Sequence, residues 1–418
     1  MAERLKIGVV GTGNIFEGWG GGSGHLPGLA WVVDEAQVVA LCDVSEPALR
    51  RAEKALKKYF AEKAKECEER GFEEVAELLR SDAESVRLYT SLDEMLDRES
   101  LDILDVLTPA EHHKEAVLKA LEAGCHVMCE KPLTRTWPEA REIEEAVEGS
   151  GKLLQYNEHL VFADPYVQMR RLVQEGAIGE PLCLFLSFCT GFGPGSYGYV
   201  KGRVGALLDM GSHAVVLAWF LLGFDLKPVR VWSLPPVGVS TKVRQVLVEG
   251  VPKEMPVDDD AHFAVEFEHP GTGRHAIAYI EVSWATKDFH GTRVIGTQGE
   301  MRPKGAEAIE VIDVHGSARE ARIGHSGWLR FLPPPGYSGH PQEIKAMVRC
   351  VKEGTKPLCD HKIAAESIAL LNACQLSEAK GRVAVSLEEF KGFAKELWEK
   401  TGADPLAFLS AICNPSAG

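Results

Sequence analysis

Short apolar runs alternate with amphipathic stretches through the first 155 residues. Leu5 to Val10 has the length and apolar density of a buried strand. Gln37–Cys42, Val86–Tyr89, Leu101–Leu107, His126–Cys129 and Leu153–Tyr156 repeat that pattern. Between them lie helical patterns. Ser45 caps one, with Pro47 in its first turn, and the 3.6-residue period runs to about Glu69. Phe72–Arg80, Glu111–Glu122 and Pro138–Val147 supply the others. Strand and helix in alternation predict βαβ units, hence a Rossmann-type doubly wound parallel sheet. After Tyr156 the pattern changes. Asp164-Pro165 opens a helix that ends near Gly176, and longer strand-like runs follow at Leu182–Cys189, Val229–Leu234, Ala261–Phe267, Ala276–Trp284 and Thr292–Ile295. An apolar helix, Ala206–Leu222, separates the first two, and Gln342–Val351 and Ile363–Ala379 return to helix. Strand after strand predicts a large, mostly antiparallel sheet in a second α/β domain. The expected domains are 1–155 and 156–418. Asp258-Asp259-Asp260 reads as a solvated acidic loop.

Composition narrows the partners. Among 418 residues, 46 Lys and Arg stand against 61 Asp and Glu, a net charge of −15. That balance argues against nucleic acid or an anionic membrane as the main partner, since both need a basic surface. The most apolar stretch, Ala214–Leu222, is too short to span a bilayer, and Met1–Gly8 has no apolar signal core. The 10 cysteines include no C-x-x-C pair, so neither a metal site nor a disulfide framework is expected. Reduced thiols in a cytoplasmic protein are the expectation.

The turn after the first strand reads Gly11-Thr12-Gly13-Asn14-Ile15. Two glycines give a tight turn and let backbone approach a pyrophosphate at the start of a helix. The third glycine position holds Phe16, and a glycine-rich stretch, Trp19–Gly24, follows. Asp43 ends the second strand, where a carboxylate can accept both ribose hydroxyls of NAD and repel the 2′-phosphate of NADP. NAD is therefore the expected cofactor. Arg50 and Arg51, a turn or two later, are the counter-indication, and Asp43 reads equally as a helix-start residue beside Ser45.

Two further segments are more specific: Ala123-Gly124-Cys125-His126-Val127-Met128-Cys129-Glu130-Lys131-Pro132-Leu133, and Gly205-Ala206-Leu207-Leu208-Asp209-Met210-Gly211-Ser212-His213. With Gly11-x-Gly13, Leu41-Cys42-Asp43, Thr108-Pro109-x-x-x-His113 and Ile295–Glu300, the chain resembles the glucose–fructose oxidoreductase / inositol dehydrogenase / MocA family over nearly its whole length. The resemblance implies an NAD(P)-dependent enzyme that oxidises a secondary hydroxyl of a sugar, sugar derivative or cyclitol. It implies cofactor contacts from Gly11, Gly13, Asn14, Ile15, Asp43, Thr108, Pro109, His113, Glu130 and Lys131, with Lys131-Pro132 a cis peptide. It also implies a homodimer or homotetramer through the open sheet. Alternating apolar residues of Ala276–Trp284 suit such a surface and suit inward packing equally well.

Oxidising an alcohol needs a hydride acceptor and a base. His213 is the natural base, because imidazole titrates near neutrality. Asp209, four residues earlier on one helical face, orients it or bonds a substrate hydroxyl; mutual pairing of the two is the plainer alternative. The resemblance places Lys131 at the substrate hydroxyl, where a cation favours oxyanion character as the proton leaves; an exposed charge after a strand is the plainer alternative. Asn157, Tyr197, Lys201, Arg203 and His290 are candidates for holding the polyol, though each is also an ordinary loop residue. The position three after His213 is Val216, where relatives often carry an acid, and the charged helical region 46–80 extends beyond the family core. A glycoside-cleaving enzyme that retains its NAD, and a non-catalytic sugar or nucleotide sensor, are the competing classes. The joint presence of Lys131, Asp209 and His213 argues against the sensor.

Overall fold

The computed structural model describes residues 3–18, 23–191, 202–243, 245–248, 251–287, 291–305, 308–322 and 338–414. Two compact units divide the chain, and they do not follow one cut in the sequence. The first gathers Met1–Glu130, Ile143–Asp164 and Gly324–Lys362; the second gathers Lys131–Glu142, Pro165–Ile323 and Ile363–Gly418.

In the first unit, β1 (Leu5–Val10), β2 (Ala36–Cys42), β3 (Arg87–Tyr89), β4 (Ile103–Val106), β5 (His126–Glu130) and β6 (Leu154–Asn157) form a 6-stranded sheet in the order β3-β2-β1-β4-β5-β6. Every pairing is parallel. This is the doubly wound arrangement, with its reversal of strand order between β1 and β4. The Glu46–Glu69 helix starts as expected, its Ser45 hydroxyl accepting from the Ala48 amide at 3.4 Å. Its apolar stripe, Leu49, Leu56 and Phe60 included, is buried, and its outer face carries exposed ion pairs such as Lys57 with Glu53. The Glu73–Ser85 helix packs beside it, and its buried Asp82 takes two bonds from Arg4 at 2.8 Å. Two short helices, His25–Trp31 and Leu92–Arg98, escape the periodicity because neither offers two full turns of apolar pattern.

The His340–Glu353 helix belongs to this unit although it lies near the far end of the chain. Its Ile344, Met347 and Val348 join the same apolar core as Leu29 and Trp31. Gly28 makes that approach possible: a Cβ there would lie 2.5 Å from Ile344 Cδ1 and 3.1 Å from Pro341 Cα.

In the second unit, β7 (Pro181–Cys189), β8 (Lys227–Ser233), β9 (Val239–Ser240), β12 (Asp260–Glu268), β13 (His275–Ser283), β14 (Arg293–Gly296), β15 (Gly299–Lys304), β16 (Ala308–Asp313), β17 (Ala318–Arg322) and β18 (Val385–Ser386) make one mixed sheet, with β10 (Gln245–Val248) and β11 (Val251–Glu254) a separate hairpin. Only β7 and β13 pair in parallel; the other pairings are antiparallel. The Ala206–Leu222 helix, buried at every position but Met210, lies on β7, β12 and β13. Ala276, Ala278, Ile280 and Val282 face inward, while Tyr279 turns out and stacks on Phe185 at 5.2 Å. Among the described residues, no helix is long and apolar enough to cross a membrane.

Gly28→Val should lower unfolding free energy by about 1–3 kcal/mol through overpacking. Ile344→Ala removes the atom that the new side chain strikes. In a urea-denaturation double-mutant cycle the pair should therefore be less damaging than the sum of the singles. Strict additivity would show that Gly28 is not what sets the helix spacing.

Candidate functional site

The turn after β1 lies at the carboxyl end of the sheet, at its switch point. Gly11 adopts φ +89°, and a Cβ there would sit 2.6 Å from Leu107 C and Thr108 N, so only glycine fits. A Cβ on Gly13 would meet nothing within 4 Å, which leaves its backbone open to a ligand. Asn14 and Ile15 begin a one-turn helix, Asn14–Glu17, behind it. Phe16, standing at the third glycine position, is buried in the core. Across the switch point, the buried hydroxyl of Thr108 has no hydrogen-bond partner among the described residues. Pro109 follows it, exposed. His113 is buried and donates from Nε2 to the Thr108 carbonyl at 2.6 Å, which fixes that loop. An open glycine backbone and an orphaned hydroxyl, on loops that meet at Gly11, suit the phosphates of a dinucleotide.

Asp43 serves the turn directly. Its Oδ2 accepts from the Thr12 amide at 2.7 Å and the Thr12 hydroxyl at 3.0 Å, and its Oδ1 from the Ser45 amide at 2.8 Å. Carboxylate oxygens accept more than one bond each, so these contacts leave capacity for ribose hydroxyls. Both neighbouring arginines have carboxylate partners: Arg51 with Glu17 at 3.1 Å, and Arg50 with Glu53 at 3.4 Å.

A buried polar cluster lies deeper in the same unit. His25 Nδ1 is 2.7 Å from Asp105 Oδ2, and Nε2 is 3.1 Å from Glu130 Oε1. Burial opposes charge on this imidazole, but the two carboxylates together raise its pKa well above the usual histidine value. Burial raises Asp105 in turn, against the pull of His25. Asn157, a sequence candidate for substrate, is fully buried here and donates to Asp105 Oδ1 at 3.4 Å. Glu130, expected toward the cofactor, turns its carboxylate onto His25. Sequence reading passed over His25 and Asp105. The signal was present: Asp105 is a charge inside the apolar strand Ile103-Leu104-Asp105-Val106, and such a charge needs a partner.

In the second unit, Lys131 follows the end of β5, and its peptide with Pro132 is cis. Its Nζ reaches Asp209 Oδ1 at 2.6 Å, with side-chain exposures of 11% and 6%. Asp209 Oδ2 accepts from Trp284 Nε1 at 3.0 Å. The Asp209 carboxylate is thus held by a lysine and an indole, and His213 lies buried one turn on. Trp284, read from sequence as the end of a strand-like run, is enclosed with Ala206 and Met255.

The acidic run corrects an expectation. Asp259 and Asp260 are buried, not solvated, because each has donors waiting. Asp258 Oδ2 accepts from the Leu207 amide at 2.7 Å, capping the helix that carries Asp209. Gly205 is required beside it, since a Cβ would lie 2.2 Å from Asp258 Oδ1. Asp259 accepts from the Lys242 and Val243 amides at 2.7 and 2.6 Å, and its carbonyl accepts from the Trp284 amide at 2.8 Å. Asp260 pairs with Lys242 at 2.6 Å. One short segment therefore sets both the helix of Asp209 and the strand end of Trp284. Arg203, at φ +61°, donates to the Pro256 carbonyl at 3.2 Å. Tyr197, Lys201, His290 and residues 19–22 lie outside the described residues.

Comparison with known proteins follows the two units. Residues 5–158 match the profile of an oxidoreductase family with an NAD-binding Rossmann fold, and residues 166–302 match the GFO/IDH/MocA C-terminal domain. The chain is 33% identical over 189 residues to D-glucoside 3-dehydrogenase of Escherichia coli (strain K12), a match covering 44% of this chain and about half, 52%, of that protein. It is 25% identical over 398 residues to D-apiose dehydrogenase of Paraburkholderia graminis, covering 91% of this chain and 89% of that one. The crystal structure of an oxidoreductase domain protein from Kribbella flavida superposes with TM-score 0.71 at 21% identity, over 92% of this chain and 99% of that one.

Burial pushes the Asp258 pKa up to about 6. The fold thus favours the protonated form, and this contribution to stability is present in acid and lost as pH rises from about 4 through 6. Asp258→Asn should flatten that decline, worth about 2–3 kcal/mol by linkage, in urea titrations at a series of pH values. An unchanged slope would place the titration elsewhere.

Proposed function

The chain belongs to the GFO/IDH/MocA oxidoreductases, and on that premise we propose that it oxidises a secondary hydroxyl of a sugar, sugar derivative or cyclitol, passing the hydride to NAD. The observation that carries this reading is the buried Lys131–Asp209 pair, with Asp209 anchored from its other side by Trp284.

A bound nicotinamide supplies the hydride acceptor. In the first unit, the Gly11–Gly13 turn holds the pyrophosphate and Asp43 takes the ribose hydroxyls. In the second, the Lys131 ammonium stabilises negative charge on the substrate oxygen as its proton departs. His213 accepts that proton, and the carbon then gives up its hydride to form the ketone. Asp209 holds the Lys131 ammonium in place. Arg203 is the candidate for a polyol contact among the described residues. The Phe185–Tyr279 pair on the sheet's outer face marks the surface through which we propose that copies associate, a reading that mass by light scattering checks.

The test is a screen for NADH formation with sugars, cyclitols and sugar acids, with product analysis for the ketone. Lys131→Met should abolish most turnover. It should also destabilise the protein by about 3–5 kcal/mol, because a buried carboxylate loses its partner. Adding Asp209→Asn should restore stability without restoring activity, so folding and chemistry separate. Retained turnover in either variant would remove Lys131 from the reaction.

His213→Asn should lower kcat by about 10²–10⁴-fold in the same NADH assay. For the cofactor, calorimetry should give tighter binding of NAD than of NADP, with the preference narrowed in Asp43→Asn. Equal or tighter NADP binding by the unaltered protein would overturn the ribose assignment.

A further inference from the structure

Glu343 has the least explained environment among the described carboxylates. It sits on the His340–Glu353 helix, fully buried, and neither carboxylate oxygen has a hydrogen-bond partner among the described residues. Its neighbours are not apolar. One donor atom each from Glu343, His25 and Glu130 lie within 4.8 Å of one another, and all three residues are buried. Asp105 stands behind the imidazole at 2.7 Å from Nδ1.

Two states can remove the charge on Glu343. A proton does so but leaves its buried O–H and C=O without a hydrogen-bond partner among the described residues, a substantial cost. A divalent cation among the three donors removes the charge and gives Glu343 a partner. The remaining geometry suits the second state. A carboxylate on Nδ1–H fixes the imidazole with Nε2 toward Glu130, 3.1 Å away, and that is the usual outer support of a histidine that binds a metal once Nε2 gives up its proton. One nitrogen and two carboxylates, without thiolate, suit Mn²⁺, Fe²⁺, Co²⁺ or Zn²⁺.

We propose that His25, Glu130 and Glu343 form a divalent transition-metal site in the nucleotide-binding unit, with Asp105 orienting His25 from the second nitrogen. The sequence gives no warning, because 105 positions separate His25 from Glu130 and Glu343 comes from a distant segment. The ion ties together three elements: the His25–Trp31 helix, the end of β5 and the His340–Glu353 helix. Its role is structural, and it takes no part in the hydride transfer proposed above.

The experiment uses the full chain, stripped with chelator and titrated with Co²⁺ alone. The expected result is uptake of one equivalent, visible d–d absorption without thiolate charge-transfer bands, displacement by Zn²⁺, and a rise in Tm. Glu343→Gln keeps the shape and removes the ligand, so Co²⁺ affinity should fall by at least about 10-fold; Asp105→Asn should weaken it by about 10–100-fold. Near-UV circular dichroism checks the fold of each variant. Absence of uptake by the folded wild-type chain overturns the proposal whatever the variants do. So does uptake that is unchanged in Glu343→Gln, or that shows cysteine charge-transfer bands, since either places the ion elsewhere. None of these readings uses turnover, so the site stands or falls apart from the assigned activity.

Discussion

Lys131 and Asp209 stand 78 positions apart in sequence and 2.6 Å apart in space. Neither is tolerable alone in that setting. Asp209 projects from a helix that is apolar on nearly every side, and its charge requires a donor at each oxygen. Lys131 and Trp284 supply them. Once these are fixed, much of the second unit follows. The helix must start at Gly205 so that Asp258 can cap it, and β13 must end where the Trp284 indole reaches Asp209. The Asp259 carbonyl must then receive the Trp284 amide. The first unit solves the same problem with different parts, placing His25 between Asp105 and Glu130.

The two units differ in how they place chemistry. In the first, the reactive features are mostly backbone: a glycine turn with positive φ, open space above Gly13, and loops held by Asp43 and His113. Side chains there position amides. In the second, buried charged and polar side chains pair with one another, as Lys131 and Trp284 do with Asp209, and backbone supports them.

Much of this was legible beforehand. The parallel sheet follows from the βαβ period, and the mixed sheet from the run of strands after Tyr156. Gly11, Gly13 and Asp43 stand out by motif and position, and Lys131, Asp209 and His213 only through the family resemblance, with their roles still expectations. Three things stayed hidden for one physical reason: they depend on contacts between distant segments. Trp284 reads as the last residue of an apolar strand until its indole is seen on Asp209. The Asp258–Asp260 run reads as solvated because three successive acids normally are. Here the amides of Leu207, Lys242 and Val243 and the ammonium of Lys242, all from other segments, receive them. Glu343 lies on a helix of ordinary amphipathic pattern, and nothing nearby in sequence marks it as a partner of His25.

The path of the chain through the first unit carries a consequence for biosynthesis. Ile344, Met347 and Val348 complete a core that begins at Ile7, yet the segment Pro165–Ile323, which belongs to the other unit, is translated before them. On the ribosome the emerging N-terminal sheet therefore waits, with Leu29 and Trp31 uncovered, while more than a hundred residues of a different unit leave the exit tunnel. A nascent chain stalled in that interval exposes sticky surface that only its own late helix can cover. Chaperone engagement should accordingly be heaviest between the synthesis of β6 and that of the His340–Glu353 helix.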